Sequence, residues 1–283
     1  PVTHSYGLIS GVLTALSRES HPHIITGVNP RGIIKIIQSV TKPLLYSSPS
    51  QLDTLAMLSG RQNNLYAVMT SGSVLSLKAF AKIRAKCSHM LQQYGCSEAG
   101  CISINKAVEN AADMGSVLPH LVVTAGESAG VPAEIRVYRQ DAPETCIHTQ
   151  DLGYFQPADN GDAVLRFVAR TDDTIVVSGL NVYPQDVEDV LLTHPAIDDV
   201  VAFGVEDPFA GSRVGLTYIS AAGLNEEDLR EWCSGKLAAY QVPQYFEQTD
   251  AIARLPNGKV QRKHIARMFR QQHLSATNTA SVG

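Results

Sequence analysis

The sequence holds no C-x-x-C pair, no H-E-x-x-H and no two histidines four residues apart, although it contains five cysteines and nine histidines. A zinc site, or a metal centre built on one helix, therefore has no support in the spacing. Cys87, Cys96, Cys101, Cys146 and Cys233 are odd in number, which argues against a disulfide framework and for a reducing, cytoplasmic setting. Also lacking is any apolar run of the ~18 residues that a membrane-spanning helix needs, and the chain does not open on a basic region followed by an apolar one. No run of Lys or Arg stands out, and the net charge is -4, so neither nucleic acid nor a membrane surface is expected as a partner.

What is present is a globular composition: 44% hydrophobic and 18% charged residues over 283 positions, enough for two domains or for one large domain with an appendage. Tyr6 to Leu16 is mostly apolar and small, and Pro30 to Val40, with Ile33, Ile34, Ile36 and Ile37, predicts a helix lying against a core. Short buried strands at Leu44 to Tyr46 and Ala67 to Met69, with an amphipathic helix over Leu77 to Lys86, give an alternating α/β pattern. After Gly115 the chain turns to short strand runs, Leu121 to Thr124, Glu134 to Tyr138 and Val164 to Val168, separated by Gly, Pro and Asp.

A distinct block follows from Arg170, with strands at Thr174 to Ser178, Val200 to Val205 and Gly215 to Ser220, a turn around Gly179 and Pro184, and a helix from Gln185 to Leu192. Asn225 caps a further helix, with Glu226, Glu227 and Asp228 in its first turn where the helix dipole favours acids. The expected organisation is an α/β core portion at 1–115, a β-rich subdomain at 116–169, a small α+β domain at 170–272 and an aperiodic, disordered tail at 273–283.

Four stretches carry chemistry when read in order: Q-Q-Y-G-C-S-E-A-G (Gln92 to Gly100), H-T-Q-D-L-G-Y-F (His148 to Phe155), A-R-T-D-D-T-I-V-V-S-G-L-N-V-Y-P-Q-D-V-E (Ala169 to Glu188) and L-P-N-G-K-V-Q-R-K (Leu255 to Lys263). In the last, Pro256 presets φ and Asn257 and Gly258 tolerate left-handed φ, so the chain must reverse and hold Lys259 at a rim. Together, in sequence and spacing, these stretches resemble the later motifs of the adenylate-forming superfamily, which includes acyl- and aryl-CoA synthetases, peptide-synthetase adenylation domains and related AMP ligases. The resemblance covers nearly the whole chain, since the opening P-V-T-H-S-Y-G-L is similar to the family's short His-aromatic-Gly motif.

The resemblance implies ATP-dependent adenylation of a carboxylic acid followed by thioester formation on CoA or a carrier-protein phosphopantetheine. Tyr94 would stack on adenine, Ser97 would hydrogen-bond the α-phosphate, and Glu98 would help to hold Mg²⁺, a hard cation suited to carboxylate and phosphate oxygens. Asp151 and Arg170 would contact the ribose hydroxyls, and Ser71, Gly72 and Ser73 would form the glycine turn beside adenine and acyl group. His4 and Tyr6 would line the acyl pocket. Lys259 would bridge the attacking carboxylate and the phosphoryl oxygens, delivered by a mobile domain that hinges at Asp172. After rotation, Ser178, Gly179, Leu180 and Asn181 would line the tunnel for the incoming thiol. Blander readings stand beside these: core packing for Tyr94, a structural ion pair for Asp151 or Arg170, a strand-ending turn at Ser71 to Ser73, a solvated lysine at 259.

There are departures. Gln150 stands where the family commonly has Gly between Thr and Asp, and Ala169 stands where Gly commonly precedes the arginine. The early Ser/Thr/Gly-rich phosphate loop ending in Pro-Lys is absent; T-S-G-S-V-L-S-L-K at Thr70 to Lys78 lacks the second glycine and the Pro. The upstream segment that carries it is therefore expected to lie outside this chain, through truncation, proteolysis or a split gene, and to be a partner. Two other readings remain: a non-catalytic fragment that binds an adenylate or a partner, and a serine hydrolase, because G-C-S-E-A is one residue from a G-x-S-x-G elbow. The identity of the carboxylic acid, the choice between CoA and an acyl carrier protein, and the oligomeric state are not written in the motifs.

Overall fold

The computed structural model describes residues 1–283 except 1, 3, 28, 61–64, 159–160, 256–257 and 274–283. Two compact units emerge, Pro1–Val168 and Ala169–Gly283. The expected disordered tail and the Pro256-Asn257 turn residues fall outside the described residues.

In the first unit a helix of wide π turns, Tyr6–Leu13, runs into a short α1 (Thr14–Ser17). Helix α2 (Pro30–Ser39) starts where its sequence says it must: Asn29 Oδ1 accepts from Arg31 N at 3.1 Å, Pro30 occupies the first turn, and Ile33 and Ile37, one turn apart, are buried. Then come β1 (Leu44–Ser47), α3 (Pro49–Leu58), β2 (Leu65–Thr70), α4 (Leu77–Arg84) and β3 (Cys87–Cys96). Ser76 Oγ caps α4 by accepting from Ala79 N at 3.2 Å. Strands β1, β2 and β3 are parallel, joined through helices, and Leu52, Leu55, Val68, Ile83 and Met90 fill the core between the layers.

From β3 onward the sheet becomes antiparallel. It adds β4 (Gly100–Asn105), β5 (Asp113–Val117), β6 (Leu121–Thr124), β7 (Ala133–Arg139), β8 (Ala142–Pro157) and β9 (Ala163–Arg170) in the spatial order β1-β2-β3-β4-β5-β9-β8-β7-β6. A second cluster, with Ile102, Met114, Ile135, Val137 and Leu165, packs around Tyr94. Strand β4 follows Glu98 directly, so the helix that a serine-hydrolase elbow requires after its nucleophile is not there.

The second unit is a five-stranded sheet with helices on both faces. Its elements are β10 (Ile175–Val177), β11 (Leu180–Val182), α5 (Pro184–Leu191), β12 (Asp199–Asp207), β13 (Gly211–Ile219), α6 (Glu226–Ser234), β14 (Tyr245–Gln248) and α7 (Arg262–His273). Strand order is β11-β10-β13-β12, with β14 parallel to β13. Pro184, expected in a turn, instead opens α5, where its missing N–H costs nothing. Asn225 caps α6 as expected, accepting from Asp228 N at 2.8 Å. Strand β12 is apolar on both sides: Val200 and Ala202 join the core with Leu191, Leu229 and Cys233, whereas Val201, Phe203 and Val205 meet Ile265 and Phe269 of α7.

One buried ion pair ties α5, β12 and α7 together. Glu188 accepts from Ala202 N at 2.9 Å and from the Arg262 guanidinium, which also reaches Ala202 O and, at 3.6 Å, Asp173. Burial pushes the Glu188 carboxyl upward and the guanidinium pulls it back. Truncating Glu188→Ala takes the nearest counter-charge from a buried arginine and leaves it Ala202 O and the more distant Asp173, and should destabilise this unit by about 3 kcal/mol, whereas Glu188→Leu combined with Arg262→Met should cost far less. Urea unfolding followed by the fluorescence of Trp232, the sole tryptophan and a residue of α6, reads this unit alone.

Candidate active site

Strands β2 and β3 run parallel with Thr70 opposite Gln92, so the Ser71-Gly72-Ser73 turn after β2 and the β3–β4 hairpin that carries Tyr94 to Glu98 lie toward the same edge of the sheet. That edge, beyond the carboxyl ends of parallel strands, is where open α/β sheets form their ligand crevices. The N-terminal helix is strapped to it by side chains. Tyr6 Oη donates to Met69 O at 2.5 Å and Ser10 Oγ to Gln93 Oε1 at 2.7 Å. Burial drives the Tyr6 hydroxyl far above the usual tyrosine range, so it stays a donor. His4 is exposed, and its Nδ1 accepts from Tyr6 N at 3.4 Å.

Gly95 explains why the aromatic must be followed by glycine. A Cβ there would sit 2.1 Å from the carbonyl oxygen of Gly100 across the β3–β4 hairpin. Ser97 and Glu98 occupy the exposed tip of that hairpin. Tyr94, by contrast, points into the molecule at 7% exposure, with its ring centroid 6.4 Å from that of Phe167. Its hydroxyl donates to Asp151 Oδ2 at 2.7 Å, and Asp151 is equally buried. Desolvation, followed by the Asp151 charge, raises the Tyr94 hydroxyl well beyond its ordinary value and keeps it protonated.

Asp151 is placed by its neighbours. Thr149 Oγ1 donates to Ile135 O at 2.7 Å and accepts from Asp151 N at 3.1 Å, pinning β8 against β7 at this point. Between them Gln150 adopts φ 59°, in the left-handed region. The backbone here has the shape that glycine takes readily, and the chain supplies compensation: Gln150 N donates to Glu134 Oε1 at 3.3 Å. Glu134 Oε2 lies 2.9 Å from His148 Nδ1 and 3.2 Å from Arg136 Nε. The hydrogen bond with His148, foremost, holds the Glu134 carboxyl below the usual range against its desolvation, with Arg136 adding to the effect. Of this scaffold, Glu134, Ile135 and Arg136 lie outside every motif, and Thr149, inside one, was given no role.

The remaining candidates belong to the second unit. Asp172 Oδ1 receives Arg170 Nε at 2.9 Å and Asp172 Oδ2 receives Lys263 Nζ at 3.0 Å, so the expected hinge carboxylate is held by two cations. Partial burial works against its charge, but Arg170 and Lys263 prevail and lower its carboxyl below the usual range. Ser178 and Gly179 have φ 50° and 82° and connect β10 to β11 as a two-residue turn of left-handed residues, presenting Leu180 and Asn181 at the surface. Lys259 is exposed, in a segment where Leu255 N donates to Lys259 O at 2.9 Å and Gly258 N to Leu255 O at 2.8 Å. This segment is anchored on both sides: Arg254 Nη2 reaches both oxygens of Asp199 at 2.8 Å, and Arg262 enters the buried pair with Glu188. Among the described residues no cluster of three or more His, Cys, Asp or Glu is disposed to hold a metal.

Residues 186–259 match the AMP-binding enzyme C-terminal domain. Across 263 residues the chain is 37% identical to a 3,4-dihydroxybenzoate--[aryl-carrier protein] ligase of Bacillus anthracis, covering 93% of this chain and 61% of that protein. Along nearly its whole length the chain is therefore similar to adenylate-forming ligases. Its fold agrees with other adenylate-forming structures: ATP-bound MatB from Rhodopseudomonas palustris superimposes with a TM-score of 0.81 at 19% identity, over 96% of this chain and 59% of that one. o-Succinylbenzoate CoA synthetase from Bacillus subtilis, solved with its acyl-adenylate, gives 0.78 at 22% identity over 94% and 59%. The chain thus spans about three fifths of the length of these relatives.

Gln150 separates backbone demand from side-chain role. Gln150→Gly should leave thermal stability within about 1 kcal/mol of the parent, since relief of left-handed strain offsets the entropy gained by the unfolded chain. Gln150→Val, β-branched at a positive φ, should cost roughly 1–3 kcal/mol. Differential scanning calorimetry checks both; equal costs for the two substitutions would contradict the strain argument.

Proposed function

We propose that these residues form the adenosine-binding face and the mobile domain of an acid–thiol ligase that adenylates an aromatic carboxylic acid and passes the acyl group to a carrier-protein phosphopantetheine. The observation that carries this reading is the junction of Tyr94 with Asp151, on a sheet whose parallel strands end in the Ser71-Gly72-Ser73 turn: a buried aromatic ring, a buried acceptor and a glycine turn at φ 99°. The aryl substrate and the carrier-protein acceptor are supported by the likeness to the Bacillus anthracis ligase, and CoA is the competing acceptor. A cytoplasmic setting fits five free thiols.

In the first half-reaction a carboxylate oxygen of the acid attacks the α-phosphorus of ATP, and pyrophosphate leaves with the electron pair of the broken P–O bond. Asp151 and Arg170 hold the ribose hydroxyls, Ser97 donates to the α-phosphate, and Lys259 brings its ammonium to the oxygens that gain charge. Glu98, an exposed carboxylate at a hairpin tip, fits a cation that keeps most of its shell as phosphate and water oxygens; Mg²⁺ there would screen phosphate charge. In the second half-reaction the domain turns at Asp172, the Ser178–Asn181 turn replaces Lys259, and the thiol attacks the acyl carbonyl as AMP departs. His4 and Tyr6 stand at the acyl end of the crevice.

A second reading is favoured by one feature, the absence of the phosphate loop from residues 1–283. Without its backbone N–H groups the β- and γ-phosphates lose their cradle, so this chain by itself binds adenylate without turning over ATP. Isothermal titration calorimetry on residues 1–283 should show AMP bound more tightly than ATP, with no pyrophosphate exchange until a polypeptide carrying a phosphate loop is added. Robust exchange by the purified chain alone would sink this reading, and absence of any AMP binding would sink both.

In the exchange-competent assembly, Lys259→Ala should abolish carboxylate-dependent ATP/pyrophosphate exchange, a loss of about 3 kcal/mol or more of transition-state stabilisation, while sparing thioester formation from supplied aryl-adenylate. Equal damage to both half-reactions would remove Lys259 from the proposed role.

A further inference from the structure

We infer that the Tyr94 hydroxyl is a positioning element for the nucleotide sugar: it fixes the Asp151 carboxylate for the ribose hydroxyls and so sets the preference for ribose over deoxyribose. The inference rests on the proposed placement of ribose at Asp151 and extends it to a group that adenine stacking does not use.

Tyr94 and Asp151 stand on β3 and β8, strands separated in the sheet by β4, β5 and β9, yet Tyr94 Oη reaches Asp151 Oδ2 at 2.7 Å with both residues at 7% exposure. A contact across so many strands exists because the sheet curls, and the curl brings an aromatic ring and a carboxylate into one buried corner. The ring cannot swing away: Ile102, Met114 and Leu165 pack around it and Phe167 lies beside it. Burial keeps the hydroxyl protonated, so its proton is permanently available to a charged acceptor.

The last torsion of an aspartate is intrinsically broad, so each directional bond on the carboxylate narrows it. Thr149 holds the Asp151 backbone, through Asp151 N at 3.1 Å. The tyrosine adds a directional bond on one carboxylate oxygen, at 2.7 Å, which helps to set the plane in which the carboxylate meets the sugar. Such a bond, between a neutral donor and a buried anion, is among the stronger kinds. Phenylalanine at this position keeps the ring and its packing and deletes the bond alone.

Calorimetric titration of AMP, 2′-deoxy-AMP and 3′-deoxy-AMP into the parent chain and into Tyr94→Phe tests the inference, with thermal melting to verify that the variant is folded. The parent should lose about tenfold in affinity when either sugar hydroxyl is removed. Tyr94→Phe should lose about tenfold for AMP and little more for the deoxynucleotides, so that discrimination collapses. A uniform loss across the three ligands, the signature of weakened stacking or packing, overturns the inference, as does unchanged discrimination. Asp151→Asn serves as a second variant: it should erase discrimination by itself and make Tyr94→Phe silent in the double mutant, whereas additive effects of the two substitutions also overturn it. If the parent binds AMP but treats the deoxynucleotides alike, the placement of ribose at Asp151 is wrong; if it binds no AMP, the functional reading fails first.

Discussion

A buried hydrogen bond from Tyr94 to Asp151 closes the first unit on itself. The parallel half of the sheet ends with β3, the antiparallel half reaches back through β8, and this bond joins the two where they curl together. Both residues sit below the surface in a corner lined by apolar side chains, where an unpaired carboxylate would be costly, so the pairing is a condition of the fold as much as a feature of the site. The Thr149 clamp and the left-handed Gln150 adjoin it directly on β8.

The second unit depends on a different buried charge. Glu188 and Arg262 join a helix, a central strand and the last helix, and Arg262 lies three residues after Lys259. The flanking Arg254 holds Asp199 through both oxygens. Polar anchors of this sort contribute geometry more than raw stability, since an apolar replacement of equal volume would hold the helix but would not fix the register of the segment before it.

Much of the architecture was legible because local signals agreed. Pro30 at a helix start, Asn225 before three acids, and Gly179 after a short apolar run each announce a cap or turn by chemistry that does not depend on the rest of the chain, although Ser178, expected to end the strand, belongs to the turn. The α3 helix escaped notice because Met57 and Leu58 are exposed and blur its apolar stripe, and α7 because only Ile265 and Phe269 are buried in an otherwise basic and polar run. The motifs, by likeness to a family, marked Tyr94 and Asp151 separately; that they touch across 57 residues of sequence is a property of the curl, which no window of sequence contains. Glu134 and Arg136 looked like ordinary surface charges of a strand, and their task of supporting the Gln150 backbone emerges only when β7 and β8 are paired.

The two arginine anchors around Lys259 bear on where entropy is spent. A lysine carries four rotatable bonds, and a loop that brought it to a reacting centre would ordinarily lose backbone freedom as well on every turnover. Here Arg254 with Asp199 and Arg262 with Glu188 fix the chain on either side of Lys259 when the unit folds. In the proposed ligase only the side chain itself would still have to be ordered at each cycle, and the swing of the domain could proceed as a rigid-body movement with the lysine's carriage already set.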